Sequence, residues 1–525
     1  MERKERDVTL EHTPDTSTDV SETNSSPQAS QDGAASVRSQ RAALDRSLTH
    51  GIAWMGGVKW ITQMLTWGST ILVARVLDPS DFGLYAFATS YMGIVTLLSE
   101  FGIGTTVVTF RKLSDDGLSQ INTLAVLFGA VGFLVSCIAA PLLALFYRAP
   151  ALTAVVIASS TVFLITGVRV VPQAILQRDL RFRELAVNEG LQAILTSIGA
   201  VVFALMGFRY WTLVLSSVLG ALLSTLLMLR VVRMSFTWPQ WQQLKAEILF
   251  SQQTIASRIS WYLYQNADFF VAGRMLGQQA LGAYDFGWTL ASAPIERVTS
   301  LAGRVTPSIL SAVQHDSAEL RRYLLSVTEA LALVAFPLTV GLALVAQHLV
   351  PLALGAKWEA AIVPLQILAV AAAVRSIAPL YPQVLMVTGA NQKAMQVNLL
   401  ALVVMPIAFV IGARWGTPGI AFAWLIVYPV LVVVPMANTT FRRIGMGWRE
   451  YVATLIPATN ATTIMAVAVL GVGALLPTST HAATFLTLKV ATGVVAYGGA
   501  LWVFHRTRVM TFVRVIRRSR SSGAD

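Results

Sequence analysis

Charge is scarce in this chain, and cysteine is nearly absent. Only 13% of its 525 residues are Asp, Glu, Lys or Arg, against roughly a quarter in ordinary soluble domains, so a water-facing surface of normal polarity cannot be assembled from them. The single cysteine, Cys137, excludes an intrachain disulfide and a cysteine-ligated metal cluster. Lying in an apolar run, it reads as a small hydrophobe. No G-x-x-x-x-G-K-[ST] and no H-E-x-x-H sequence occurs, so nothing indicates ATP hydrolysis or a catalytic metal, and no cofactor is expected. Residues 1–47 have no early apolar stretch and are rich in Ser, Thr, Asp, Glu and Gln, the composition of a disordered cytoplasmic tail and not of a cleaved signal.

What the chain has instead is hydrocarbon. Hydrophobic residues make up 55% of it, and the mean hydropathy is +0.63. Within a bilayer every backbone N–H and C=O must find its partner inside the protein, which leaves helices or a closed barrel. Long apolar runs without alternation choose helices. Runs of about twenty residues, the length that spans a bilayer, fall near 51–77, 83–108, 120–147, 151–176, 185–207 and 210–232. A second set falls near 248–275, 280–313, 323–347, 358–387, 393–413 and 417–440, and a last pair near 451–476 and 483–505. The expected fold is all-α and integral to the membrane, with about fourteen transmembrane helices. The expected domains are an N-lobe (48–234), a C-lobe (248–440), an extra helix pair (451–506) and a basic tail (507–525).

The net charge of +12, from 39 Lys plus Arg against 27 Asp plus Glu, raises nucleic acid as a partner, but the distribution argues otherwise. Basic residues cluster in alternate connections: Arg38, Arg41 and Arg46; Arg111 and Lys112; Arg178, Arg181 and Arg183; Arg230, Arg233 and Lys245; Arg321 and Arg322; Lys393; Arg442, Arg443 and Arg449; and the tail from Arg506 to Arg520. The opposite connections hold Arg148, Arg209, Lys357 and Arg414. This is the positive-inside bias of cytoplasmic loops. It places both termini in the cytoplasm of a multi-pass cell-membrane protein and makes membrane lipids, not nucleic acid, the partner.

An internal repeat is legible. Arg75, Leu77, Gly83, Tyr85 and Phe87 recur as Arg274, Leu276, Gly282, Tyr284 and Phe286 at one offset (274 − 75 = 199). Pro172 and Gln173 recur as Pro382 and Gln383 (382 − 172 = 210), so the second half has gained residues in between. The offset spans six helices, an even number, so the two units point the same way and should be related by an axis along the membrane normal. Two facing six-helix lobes are expected, with the substrate path between them.

Polar stripes mark candidate cavity residues. In the seventh span Thr254, Arg258, Trp261, Gln265 and Asp268 fall on one helical face. The equivalent positions of the first span are Met55, Lys59, Thr62, Thr66 and Ser69. A charge near the bilayer centre costs about 2.5–3.5 kcal/mol on insertion scales, which makes Lys59 and Arg258 candidates for binding an anionic substrate. Lys59 could alternatively snorkel to the cytoplasmic interface. Asp268 reads either as the partner of a nearby arginine, the preferred reading, or as a site for a coupling cation or proton, for which Glu100 is the second candidate. Glu189, Asp285, Glu296, Arg297 and Arg304 also sit in or beside spans, with no partner assignable from sequence. Pro172 and Pro382 are expected to kink or end their helices.

The segments Leu77-Asp78-Pro79-Ser80-Asp81-Phe82-Gly83-Leu84-Tyr85 and Glu100-Phe101-Gly102-Ile103-Gly104, with Gln265-Asn266-Ala267-Asp268, Gly273-Arg274-Met275-Leu276-Gly277, Ala280-Leu281-Gly282-Ala283-Tyr284 and Gly355-Ala356-Lys357-Trp358, resemble the polysaccharide exporters of the MOP flippase superfamily over about residues 48–440. The resemblance implies a transporter, not an enzyme. It would flip or export polyprenyl diphosphate-linked oligosaccharide of the O-antigen, capsule or colanic-acid type by alternating access of two lobes, with a saccharide polymerase or export machinery as candidate partner. Moving a diphosphate through hydrocarbon requires cations and donors to replace its hydration. A cation-coupled multidrug exporter of the same superfamily is the alternative and would demand an acidic site. A membrane glycosyltransferase or polymerase would need catalytic carboxylates on a sizeable external loop, which the short connections lack.

Overall fold

The computed structural model describes residues 61–100, 103–109, 114–232, 234–240, 245–477 and 481–521. Every element among them is helical: α1 (61–76), α2 (Pro79–Glu100), α3 (Ile103–Thr109), α4 (Asp115–Tyr147), α5 (Leu152–Arg178), α6 (Phe182–Leu205), α7 (Trp211–Val231), α8 (Lys245–Leu276), α9 (Gln278–Ala312), α10 (Ser317–Leu354), α11 (Ile362–Ile377), α12 (Leu380–Val387), α13 (Asn391–Gly412), α14 (Gly416–Phe422), α15 (Val434–Arg443), α16 (Trp448–Leu475) and α17 (Ala482–Ser521). Lys59 lies outside the described residues, as do the side chains of Glu100, Thr254, Arg258, Arg297 and Arg304. Pro172 lies inside the continuous α5. Pro382 follows a break at Ala378 and Pro379 that divides α11 from α12.

Among the described residues nine helical segments are long and apolar enough to cross a membrane, and the chain is a multi-span membrane protein. The expected fourteen is not fixed by that measure. The polar α8 and α9 are not among the nine, and the stretch Asn391–Arg443 runs as one apolar segment of 53 residues.

The helices invert the soluble pattern, as lipid requires. On α4 the large residues Val131, Leu134, Ile138, Leu142 and Leu145 are exposed, while Ser136, Ala140 and Ala144 are buried. With no hydrophobic drive between helices in lipid, association depends on close packing of small residues. A methyl group on Gly129 would sit 2.4 Å from the Phe163 carbonyl oxygen, and one on Gly167 3.0 Å from that of Ala125. These glycines let α4 and α5 meet backbone to backbone. In the first half α4 and α7 pack on α5 and α6 on α7; in the second, α9 and α10 pack on α11 and α8 on α13, with α16 and α17 laid against α10.

The halves meet where α2 runs along α9 and α8, and the repeat residues form this contact. A methyl group on Gly83 would fall 1.7 Å from the Gln278 carbonyl oxygen, and one on its counterpart Gly282 would fall 1.8 Å from that of Pro79. Arg75 donates through Nε to the Ala353 carbonyl (2.7 Å) and through Nη2 to that of Leu352 (2.6 Å), at the end of α10. Its counterpart Arg274 lies 5.3 Å over the Phe146 ring, at the end of α4. Phe87 stacks on Tyr147 with centroids 4.2 Å apart, and Phe286 lies 4.6 Å from Trp358. Trp358 Nε1 donates to the Ala74 carbonyl at 2.8 Å. Lys357 Nζ lies 3.2 Å from the Val76 carbonyl and 3.5 Å from Asp78 Oδ1. Each half thus reaches across to the same parts of the other.

Because the glycine approach leaves no room for a β-carbon, Gly83→Ala and Gly282→Ala should each destabilise this packing by about 1–3 kcal/mol, the usual cost of overpacking. Gly68→Ala, where nothing lies within 4 Å, should be tolerated. Thermal unfolding of the three variants in detergent checks this; equal midpoints would refute it.

Candidate functional site

A cavity of about 350 Å³ lies within the second half. Trp261, Tyr264 and Gln265 of α8, Ser292 and Glu296 of α9, Arg375 of α11, Tyr381 of α12, Asn398 of α13, and Tyr428 form much of its wall. Aromatic surface and a few convergent polar groups are the ordinary make-up of a ligand pocket.

Arg375 is the cation of this wall. Its guanidinium carbon sits 3.9 Å from the Trp288 ring centroid and 5.1 Å from that of Trp424. Its Nη1 is enclosed and donates to no partner among the described residues. No carboxylate among them comes within the 4.0 Å of an ion pair with it. Two indole faces therefore hold the charge by cation–π attraction, while a donor is left over. Glu296 lines the same cavity.

Asp268 lies behind this wall, fully buried. Oδ2 accepts from the Tyr284 hydroxyl at 2.7 Å and from Trp424 Nε1 at 2.8 Å, and Oδ1 accepts from the Phe269 N–H at 3.0 Å. Trp424 belongs to a helix irregularity: Ala423–Val427 and Pro429–Val433, between α14 and α15, are π-helical. Such turns widen the helix and re-aim its side chains, often at functional positions. Here Trp424 donates to Asp268 with its edge and presents a face to Arg375. The sequence reading paired Asp268 with an arginine directly; the structure interposes an indole, and no ion pair joins Asp268 to another described residue. A negative charge at the N–H edge makes the indole face more electron-rich, so Asp268 strengthens the hold on Arg375 without touching it.

Of the other expected residues, Trp261 and Gln265 reach the cavity and Thr62, Thr66 and Ser69 do not. Thr66 Oγ1 donates to the Thr62 carbonyl at 2.8 Å and Ser69 Oγ to that of Thr66 at 2.9 Å. Hydroxyls that bond back to their own helix are satisfied locally and need no ligand. In the repeat register Ser69 stands where Asp268 stands, so the carboxylate belongs to the second half alone. Sequence reasoning missed Arg375. The signal is an arginine well inside the 358–387 span, a lone charge with no polar stripe around it. Arg169 was missed for the same reason. It lies in α5 and donates to Gln192 Oε1 at 2.7 Å and to Ser224 Oγ at 3.2 Å.

With fold and cavity defined, comparison with known proteins places the chain. The polysaccharide biosynthesis protein family matches residues 72–364. The chain belongs to that family. Among curated proteins it is 25% identical over 489 residues to the teichuronic acid biosynthesis protein TuaB of Bacillus subtilis strain 168, covering 89% of this chain and 98% of that one. It is 23% identical over 419 residues to the lipopolysaccharide biosynthesis protein WzxC of Escherichia coli K12, covering 76% and 84%. The lipid II flippase MurJ in its inward closed conformation is similar in fold, with TM-score 0.72 at 11% identity, covering 87% of this chain and 99% of that one.

In this member of the polysaccharide biosynthesis protein family, Tyr284 and Trp424 donate to one oxygen. Their removal should therefore be non-additive. Tyr284→Phe and Trp424→Phe should each cost about 1.5–3 kcal/mol, the range for hydrogen bonds to a charged group, and the double variant should differ from the sum by at least about 0.5 kcal/mol. A double-mutant cycle by thermal or denaturant unfolding measures this; strict additivity would show that the two donors act separately.

Proposed function

We propose that this protein carries saccharide units linked to a polyprenyl diphosphate across the cell membrane, with both termini in the cytoplasm. The observation that carries the reading is Arg375, a guanidinium packed against two adjoining indoles with an enclosed N–H group unbonded. A diphosphate entering hydrocarbon loses its hydration and needs charge-assisted donors in exchange. Arg375 supplies them, Trp261 and Tyr264 offer rings for the saccharide, and Gln265 and Asn398 offer hydrogen bonds. The teichuronic acid and lipopolysaccharide names of the curated relatives, and the flippase name of the similar structure, support transport of such a lipid and not catalysis. Lys59 and Arg258 are proposed from the sequence stripe to widen the cationic path. Asp268 and Glu100 remain proposed coupling-ion residues. For Asp268 that role requires the donors on its oxygens to part. A saccharide polymerase or export machinery is the proposed downstream partner.

The test is transport of a fluorescent polyprenyl diphosphate oligosaccharide in proteoliposomes. Arg375→Ala should lower the rate at least tenfold, equivalent to about 1.4 kcal/mol. Arg375→Lys, which keeps charge but loses the planar fork, should retain part of it. Glu296 in the same cavity favours a second reading, export of a cationic drug. In that case Glu296→Gln would abolish transport and Arg375→Ala would not.

In the proposed orientation the latch at Asp78 and Lys357 closes the external end, and release requires it to part. A short, reducible bifunctional thiol reagent joining Asp78→Cys to Lys357→Cys, in a Cys137→Ser background, should stop transport, and reduction should restore it. Undiminished transport by the cross-linked protein would show that this end stays shut.

A further inference from the structure

The last two helices carry a feature that saccharide transport does not use. Lys489 of α17 is 7% exposed, yet no carboxylate among the described residues lies within 4.0 Å of it. Its Nζ sits 4.9 Å over the ring of Phe485. His348 of α10 is stacked on the same ring, with centroids 4.3 Å apart and planes inclined by 20°. His348 Nδ1 is enclosed without a hydrogen-bond partner. The lysine stem crosses α16 at Gly473, where a methyl group would lie 3.0 Å from Lys489 Cε and 3.4 Å from Nζ. A side chain there would press on the end of the lysine.

An ionised group inside membrane-spanning helices is normally paired. Here a lysine and a histidine share one aromatic ring and no acid among the described residues answers them. We infer that His348 and Lys489, at the junction of α10, α16 and α17, bind the phosphate of an anionic phospholipid of the bilayer. The depth fits. Lys489 lies seven residues into α17 and His348 six before the end of α10, about 10 Å along each helix at 1.5 Å per residue, where a lysine can reach the headgroup level. The surroundings face hydrocarbon: Leu488, Val490, Val494 and Val495 are all exposed. The binding group must then carry acyl chains as well as charge, as in other basic pockets between transmembrane helices. The site lies one turn before Leu352 and Ala353, which receive Arg75 from the other half, so the lipid is held beside the latch between the halves.

Native mass spectrometry of the full-length, detergent-purified protein tests this independently of any transport substrate. Phosphatidylglycerol and phosphatidylcholine with the same acyl chains would be titrated against wild type, Lys489→Gln, Lys489→Arg and the double variant His348→Gln with Lys489→Gln. The first phosphatidylglycerol should bind about fivefold more weakly to Lys489→Gln, the scale of one basic residue near anionic lipid. Binding should recover with Lys489→Arg and be weakest in the double variant, while phosphatidylcholine binding stays level. Thermal midpoints without lipid identify any variant that fails to fold, and the arginine variant then carries the comparison. Equal retention of both lipids by wild type, or unchanged phosphatidylglycerol binding in the double variant, overturns the inference. Displacement of phosphatidylglycerol by an equal concentration of inorganic phosphate would also overturn it, in favour of a soluble anion.

Discussion

The backbone approach of α2 and α9 is the constraint on which the remaining geometry of the described helices rests. In a bilayer two helices gain little by hiding apolar side chains from each other, because lipid tails are equally apolar. Contact must come from dispersion between closely fitted surfaces and from polar groups that cannot be left unpaired. Gly83 and Gly282 provide the first by letting each helix touch the other's carbonyl oxygens. Arg75, Lys357 and Trp358 provide the second by donating to carbonyls of the opposite half. Those carbonyls lie at or near helix ends, where no residue of the same helix can pair them. Gly83, Gly282 and Arg75 are among the residues still recognisable as a repeat, because each must fit its counterpart's neighbourhood across one interface.

Charge is distributed unequally between the halves, and the cavity follows from that. Asp268 has Ser69 as its counterpart, so the first half has no carboxylate at this position to satisfy. Satisfying Asp268 recruits Tyr284 from α9 and Trp424 from a π-helical turn. The turn brings the Trp424 ring to Arg375, and Trp288 packs beside Trp424 against the same guanidinium. A chain of contacts from a dry carboxylate through an indole to a guanidinium thus ends at the cavity wall. In low dielectric such a chain is worth more than in water, and it holds the arginine's position while leaving part of its donor capacity for a ligand.

Much of the architecture was legible in the residues. Helical membrane spans follow from apolar runs that can satisfy their backbone only internally, and the pairing of repeat residues followed from one constant offset. The site was less legible. Trp261 and Gln265 were found because a helical stripe of polar residues is a periodic signal. Thr62, Thr66 and Ser69 carried the same signal, yet the Thr66 and Ser69 hydroxyls bond their own helix and Thr62 is buried away from the cavity, which a spacing rule cannot distinguish. Arg375 escaped because it is a lone charge in an apolar span with no pattern around it. Its Trp288 and Trp424 partners lie in two other helices.

The sequence by itself determined that this is a helical membrane protein with two related halves and basic connections, because those properties depend on composition and on period along one chain. Only the tertiary structure decided that Asp268 and Arg375 are joined through an indole, that Lys489 and His348 share the Phe485 ring, and that the repeat residues of α2 meet those of α9. Each of these is a meeting of side chains from different helices, set by the rotation and depth of one helix against another. Such angles and depths leave no periodic trace in the order of residues.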